Sequence, residues 1–129
     1  MAALVSEWRD LLARHAATAC ALDRELGERF GLGMSEFEVL ERLAEAPAEA
    51  GDKLRVQELA ETVHLSQSAL SRLIGRLEKA GLVERSMCDA DRRGIYVLLS
   101  TAGRERYEAA RPVHRQVLAR TLRDGLPGA

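Results

Sequence analysis

Apolar residues recur three or four positions apart through most of this 129-residue chain, and each run ends close to a glycine or proline. That spacing places the apolar side chains of a run on one face of a helix. The first run covers residues 4–30 and ends before Gly31 and Gly33; its members include Val5, Trp8, Leu12, His15, Ala19, Leu22, Leu26 and Phe30. A chain of this length with such runs is expected to form one mainly helical domain.

Four further helices are predicted by the same spacing and by capping residues. Ser35 stands three residues before Glu38, a capping-box pattern that starts a second helix ending before Pro47. A third helix is expected over residues 57–63, without a good N-cap residue. Ser66 is a candidate N-cap for a fourth helix over residues 67–80, followed by Gly81. Ser100 caps a last helix over residues 101–123, with these residues expected to be buried: Tyr107, Ala110, Val113, Val117 and Leu122.

Two short apolar segments, residues 82–86 and 95–99, are predicted to be strands. The residues between them, 87–94, are rich in Asp, Arg and Gly, which is typical of a hairpin tip. A third short extended stretch covers residues 54–56. The predicted fold class is therefore mainly α with a small antiparallel β-sheet.

Charge is distributed unevenly along the sequence, although the net charge is only -1. Basic side chains are concentrated in residues 64–94, whereas residues 25–52 are strongly acidic. A protein that contacted nucleic acid over its whole surface would need a larger positive charge. Any surface that binds DNA is therefore expected to be a local patch.

The third and fourth helices, joined by a tight turn at His64 and Leu65, form a helix-turn-helix pattern. If the apolar side chains of the fourth helix point inward, its opposite face presents five residues that can each form hydrogen bonds: Gln67, Ser68, Ser71, Arg72 and Arg76. Such groups near a helix N-terminus suit base edges and phosphates. A solvated polar face without a partner is the alternative interpretation.

Three segments carry a resemblance to the MarR family of bacterial transcriptional regulators. They are residues 57–61 (QELAE), residues 77–85 (LEKAGLVER), and residues 91–94 (DRRG) followed by residues 99–103 (LSTAG). Residues 33–43 also resemble the second helix of that family, so the resemblance covers nearly the whole chain in order.

The resemblance implies a winged helix-turn-helix at residues 34–100, flanked by dimerisation helices at residues 1–33 and 101–129. It implies that residues 67–80 enter the major groove of a palindromic operator, while Arg93 of the wing (residues 82–99) enters the minor groove and Asp91 holds that arginine. The candidate DNA-contacting residues are then Ser66, Gln67, Ser68, Ser71, Arg72, Arg76, Asp91 and Arg93. We expect a homodimeric repressor, although chains of the family usually continue into a further helix beyond the position of Ala129.

The resemblance also implies an effector cleft between the dimerisation and DNA-binding parts. Trp8, Leu12 and His15 share one face of the first helix and are candidates for that cleft, with an aromatic or phenolic acid as effector. The competing interpretation is that Trp8 lies in the core and His15 in the core or an interface.

Other classes of function find little support in the residues. No phosphate-binding loop, nucleophile motif or helical metal-binding pair is recognised, so we expect no enzyme, no cofactor and no metal. Cys20 is expected to be a buried, inert thiol and Cys88 an exposed one; a cysteine-based redox sensor remains an alternative. A winged helix that binds only proteins is another. No segment resembles a membrane span or signal peptide, which predicts a cytoplasmic protein without a membrane partner.

Overall fold

Helices dominate the computed structural model, which describes residues 1–46, 53–87 and 95–123. Within these residues there are five α-helices, a π-helical segment and three strands. In chain order they are α1 (Ala2–Phe30), α2 (Met34–Ala44), β1 (Lys53–Arg55), α3 (Val56–Val63), α4 (Gln67–Lys79), β2 (Val83–Met87), β3 (Ile95–Leu99), α5 (Thr101–Leu118) and the π-helical segment Ala119–Arg123. The predicted fold class is confirmed. No helix in the described part is long and apolar enough to cross a membrane.

The chain divides into two compact units. The helical unit comprises Met1–Met34 and Ala110–Ala129, and the sheet unit comprises Ser35–Ala109. The first half of α5 belongs to the sheet unit and its second half to the helical unit.

The first half of α1 exposes most of its apolar side chains. Trp8 is 59% exposed, so the interpretation of this residue as part of the core of its own chain is wrong. His15 and Cys20 are also exposed, which overturns the expected burial of the Cys20 thiol. Near the other end of the chain, Leu122 is 40% exposed, in contrast to the expectation. The buried residues of α1 lie in its second half: Thr18, Ala21, Leu22 and Leu26.

Two polar contacts join α1 to the π-helical segment within the helical unit. The Thr18 hydroxyl donates to Thr121 Oγ1 at 2.9 Å, and the Thr121 hydroxyl donates to the Val117 carbonyl at 2.8 Å. Arg120 also forms a hydrogen-bonded ion pair with Glu25. The hydrogen bond from Arg120 lowers the pKa of Glu25, and the same bond raises the pKa of Arg120.

The start of α2 differs from the capping-box prediction. The helix begins at Met34, so Ser35 lies inside the first turn and is not its N-cap. The N–H of Met34 instead donates to Asp23 Oδ1 at 2.7 Å. A carboxylate eleven residues earlier in the chain therefore satisfies one of the free amide groups at this helix end.

In the sheet unit, β3 is the central strand, and both β1 and β2 pair with it in antiparallel orientation. Val97 lies opposite Leu54 on one side and Arg85 on the other. Alternate residues of β3 face the interior, where Val97 and Leu99 are buried. α3 packs against β1, β3 and α4, and α4 also packs against β2. The extended stretch predicted at residues 54–56 is thus present as β1, one of the two outer strands, although Val56 already belongs to α3.

A buried polar contact joins α2 to the first half of α5. Glu41 is 8% exposed, and its Oε2 accepts a hydrogen bond from the Tyr107 hydroxyl at 2.9 Å. The ring of Tyr107 packs against Phe37, with ring centroids 5.4 Å apart and planes inclined by 37°. Because a buried carboxyl group is costly without partners, this contact fixes the register between the two helices.

Replacing Tyr107 by phenylalanine is expected to lower the free energy of unfolding by roughly 1 to 3 kcal/mol, because the carboxyl group of Glu41 loses a donor while remaining buried. Denaturant titration measures the change. Tyr96→Phe is the matched control, since the Tyr96 hydroxyl accepts from Arg55 Nε at 3.1 Å in a partly exposed position. Equal losses in the two variants would contradict the importance of burial at Glu41.

Candidate nucleic-acid interface

The turn between α3 and α4 sets the direction of α4 relative to α3. α3 ends at Val63, and His64 adopts a left-handed conformation with φ 58° and ψ 41°. Among the described residues other than glycine, His64 alone has a positive φ. Such a conformation is uncommon for a residue with a Cβ atom, so the turn stores some backbone strain.

Ser66 caps α4 as the sequence predicts. Its Oγ accepts a hydrogen bond from the N–H of Ala69 at 3.2 Å. The hydroxyls of Ser66 and Ser68 lie 3.4 Å apart, and either of them can be the donor. The Ser66 oxygen therefore serves the helix first, while Ser68 remains on the exposed surface at the positive end of the helix dipole.

The exposed face of α4 contains every candidate residue that the sequence assigned to this helix. The inward residues Leu70, Leu73, Ile74 and Leu77 are all buried. The candidates on the other side are all exposed: Gln67, Ser68, Ser71, Arg72 and Arg76. Lys79 is exposed as well, seven residues after Arg72, a spacing that returns to the same helix face. Sequence reasoning left Lys79 out of the site, although this spacing would have found it.

Three cations on this face have no ion-pair partner among the described residues. No side-chain hydrogen bond or ion pair within the described part of the chain engages Arg72, Arg76 or Lys79. In contrast, Arg85 on β2 forms an ion pair with Glu78 at 3.4 Å. The exposed face of α4 therefore has a local positive potential despite the net charge of -1.

The C-terminal end of α4 is fixed by backbone hydrogen bonds. The N–H of Gly81 donates to the Glu78 carbonyl at 3.0 Å, and the N–H of Leu82 donates to the Leu77 carbonyl at 2.9 Å. This is a Schellman motif, and it requires the positive φ of 78° that Gly81 adopts. The prediction that Gly81 ends this helix is confirmed.

Ser100 connects that helix end to the start of α5. Its hydroxyl donates to the Gly81 carbonyl at 2.6 Å, and its Oγ accepts from the N–H of Gly103 at 2.9 Å. The N–H of Ser100 donates to the Leu82 carbonyl at 3.1 Å. Gly103 lies so close to this segment that an added Cβ atom would be 2.0 Å from the Leu82 carbonyl oxygen. We call residues Gly81, Leu82, Ser100 and Gly103 the helix clamp.

The two strands of the predicted wing are present as β2 and β3, and their hairpin tip lies outside the described residues. Asp91, Arg93 and Cys88, which the sequence assigned to this tip, lie there too. On the described part of the sheet, two cations lie close to the ring of Tyr96. Lys53 Nζ lies 5.1 Å, and the Arg55 guanidinium carbon 5.5 Å, from the centroid of its ring.

The three candidate effector residues lie on α1, in the helical unit. Trp8, Leu12 and His15 are all exposed. Their spacing of four and three residues places them on one side of the helix. Among the described residues, no group of three or more His, Cys, Asp or Glu side chains is arranged to hold a metal ion.

Comparison with known proteins places this arrangement in a family. The family model described as MarR family matches residues 30–94, which include α2, α3, α4 and β2. AbsC from Streptomyces coelicolor, a MarR family transcriptional regulator, is 34% identical over 95% of this chain and 80% of its own, with a TM-score of 0.83. The chain belongs to the MarR family of transcriptional regulators.

Two further MarR family structures were solved with DNA. Sco3205 from Streptomyces coelicolor, in complex with DNA, is 30% identical and has a TM-score of 0.87; the match covers 99% of this chain and 78% of Sco3205. A MarR mutant from E. coli complexed with operator DNA is 21% identical with a TM-score of 0.78, covering 94% of this chain and 83% of its own. At that identity the second match shows the fold alone. A comparison with curated protein sequences gave no significant match.

Proposed function

We propose that this MarR family protein is a sequence-specific regulator that binds double-stranded palindromic DNA and acts as a repressor. The observation that carries the proposal is the exposed face of α4, on which Arg72, Arg76 and Lys79 lack counterions within the described residues. Phosphate groups supply the missing negative charge. The DNA complex of Sco3205, at 30% identity, supports the same partner.

In the proposed complex, α4 enters the major groove as the recognition helix. Side chains in its first two turns reach base edges, and arginine suits guanine because it donates two parallel hydrogen bonds to that base. Ser66, Gln67, Ser68 and Ser71 approach bases or phosphates from the helix N-terminus. The wing follows the adjacent minor groove, where Arg93 inserts and Asp91 orients it.

The test is a set of binding titrations on selected and scrambled DNA at several salt concentrations. A random DNA library first returns the preferred sequence and the spacing of its half-sites. We expect affinity for the selected DNA to fall steeply with salt, because each phosphate contact releases a counterion. A winged helix that binds only proteins would instead select no sequence, and that outcome would overturn the proposal.

The proposal assigns different roles to different parts of the chain: residues 34–100 bind DNA, while residues 1–33 and 101–129 form the dimer. The exposed apolar side chains of α1 support this assignment, since an apolar face of this size in water is costly without a partner. They are Leu4, Val5, Trp8, Leu11 and Leu12, and Leu122 adds a further exposed apolar residue near the other end of the chain.

We expect a homodimer at micromolar concentration in sedimentation velocity, because a palindromic site matches a protein with two-fold symmetry. Replacing Leu4 and Leu11 together by serine is expected to shift the population towards monomer, since both are exposed and lie seven residues apart on one side of α1. Replacing the exposed charged residue Arg9 by serine is the control. A wild-type monomer with intact helicity would remove the dimer and the palindromic operator from the proposal.

We further propose that a small aromatic or phenolic acid releases the protein from DNA. The effector would favour a dimer whose two recognition helices no longer match successive major grooves, about 34 to 36 Å apart. Trp8, Leu12 and His15 are the candidate contacts, with an aromatic ring, an apolar side chain and an imidazole on one helix side.

Trp8→Ala and His15→Ala are each expected to raise, by roughly ten-fold, the concentration of aromatic acid that releases the protein from DNA. Fluorescence anisotropy of labelled operator measures that concentration. If release by every acid tested is the same in both variants and in wild type, the pocket is elsewhere.

The alternative of a cysteine-based redox sensor is tested by adding peroxide in place of the acid and measuring release from DNA in the same assay. Cys20→Ser is the control.

A further inference from the structure

Gly75 lies in the interior of α4, where glycine is a poor choice for helix stability. Nothing in the described chain explains it. Apart from its chain neighbours and the nearby backbone of its own helix, a Cβ atom built on Gly75 meets no atom within 4 Å, whereas one built on Gly103 meets the Leu82 carbonyl oxygen at 2.0 Å. Gly75 is also absent from the described glycines with positive φ, which are Gly31 and Gly81. Neither internal packing nor backbone conformation therefore requires glycine at this position.

The position of Gly75 on the helix suggests what the missing side chain leaves room for. It follows Ser71 by four residues and Arg72 by three, and it precedes Lys79 by four, so it lies on the same side of α4 as these three residues. Arg76 is its direct neighbour. The open space at Gly75 is thus surrounded by the side chains of the positively charged face.

We propose that Gly75 is the point at which the backbone of α4 comes closest to the DNA, and that its missing side chain sets the depth of this helix in the major groove. The proposal rests on the proposed function. It identifies Gly75 as a positioning residue, which acts through the neighbouring side chains Ser71 and Arg72. A methyl group at residue 75 would meet the sugar-phosphate wall and lift the helix away from the bases.

The length of the serine side chain makes this depth important. The Ser71 hydroxyl is one carbon away from the backbone, so a hydrogen bond of about 2.8 Å reaches a base edge only if the helix lies deep in the groove. Arginine is longer and tolerates a small displacement by changing its rotamer. We therefore expect a shift at residue 75 to affect contacts by Ser71 more than contacts by Arg72.

The test combines thermal unfolding with DNA titration for wild type and Gly75→Ala. Gly27→Ala is the matched control, because Gly27 is an exposed glycine inside α1 whose Cβ would come no closer than 4.0 Å to any atom beyond its chain neighbours and the nearby backbone of its own helix. Both variants are expected to raise Tm by about 2 to 4 °C, since alanine favours the helix. Gly75→Ala alone is expected to weaken binding to the selected DNA by roughly ten-fold.

The salt dependence distinguishes this loss from the loss of a phosphate contact. No charge is removed in Gly75→Ala, so the slope of affinity against salt concentration is expected to stay at the wild-type value. Gly75→Leu carries a larger side chain and is expected to weaken binding further at the same slope.

Two results would overturn the inference. Gly75→Ala could bind DNA as well as wild type, or it could lower Tm, which would show an internal structural role for Gly75. Either result leaves the proposed function intact, because wild type would still select DNA. Failure of wild type to select any DNA would instead contradict the proposed function itself, so the two failures are distinguishable.

Discussion

Replacing Gly103 by alanine is expected to lower the free energy of unfolding by at least about 3 kcal/mol, or to prevent folding. The added methyl group would lie 2.0 Å from the Leu82 carbonyl oxygen and 2.9 Å from both the Leu82 carbonyl carbon and Leu99 Cδ1. Two of these three atoms belong to the backbone, so rotation of a side chain relieves only part of the clash. The start of α5 must then move away from Leu82.

The expected loss of stability is opposite in sign to the usual effect of a glycine-to-alanine replacement in a helix. Gly103 lies in the first turn of α5, where alanine would normally stabilise a helix relative to glycine. Gly27→Ala makes the same change in α1 without a close contact and is expected to stabilise the protein slightly. Denaturant titration of both variants gives the comparison, and a Gly103→Ala protein as stable as wild type would show that the helix clamp is not closely packed.

Replacing Arg72 and Arg76 together by alanine is expected to weaken DNA binding by roughly 100-fold, with single effects of about 1 to 3 kcal/mol each. Arg72 lies nearer the helix N-terminus, so its loss is expected to relax the choice of base at one position of each half-site. Arg76 lies one turn later, where phosphate contacts are expected; its loss should weaken all sequences alike and lower the salt slope by about one per site.

The control for these variants is Arg42→Ala. Arg42 belongs to the same sheet unit, but its Nε donates to Glu38 Oε1 at 3.2 Å on the same helix. Its loss should leave DNA affinity unchanged.

Arg93→Ala is expected to weaken DNA binding with little change in preferred bases, because the minor groove distinguishes base pairs poorly. Asp91→Ala should act in the same direction but more weakly. Unchanged affinity after loss of Arg72, Arg76 and Arg93 would contradict the DNA-binding assignment.

The sequence was most informative where structure depends on neighbouring residues. Ser66 and Gly81 mark the two ends of α4 because an N-cap hydroxyl and a left-handed glycine act over only a few residues. The candidate residues of α4 were found for the same reason. Helical spacing alone separates the buried leucines from the exposed polar side chains, so this part of the site required no knowledge of distant contacts.

Capping residues and helical spacing did not predict contacts between residues that are distant in the sequence. The Asp23 carboxylate that meets the N–H of Met34 belongs to another helix, so the pattern at Ser35 and Glu38 pointed to the wrong start of α2. The burial of Glu41 depends on Tyr107, 66 residues later in the chain. A charged residue on a short helix gives no local sign of such a partner.

The exposed apolar residues of α1 show what helical spacing alone does not predict. An apolar stripe indicates that a helix face is covered, but it does not identify the covering surface. Burial inside the same chain and burial between two chains produce the same spacing of Trp8 and Leu12. The sequence therefore predicted the amphipathic helix correctly and the core position of Trp8 wrongly.

The chain segments that form each unit predict the order in which the units fold during synthesis. The sheet unit is one continuous stretch, whereas the helical unit is assembled from a segment before it and a segment after it. The hydroxyls of Thr18 and Thr121, which bond to each other, are 103 residues apart. On the ribosome, α1 must therefore wait, with its apolar face in water, until residues 110–123 emerge. We expect the sheet unit to fold first and the helical unit to close last, which makes the nascent chain most dependent on chaperones during that interval.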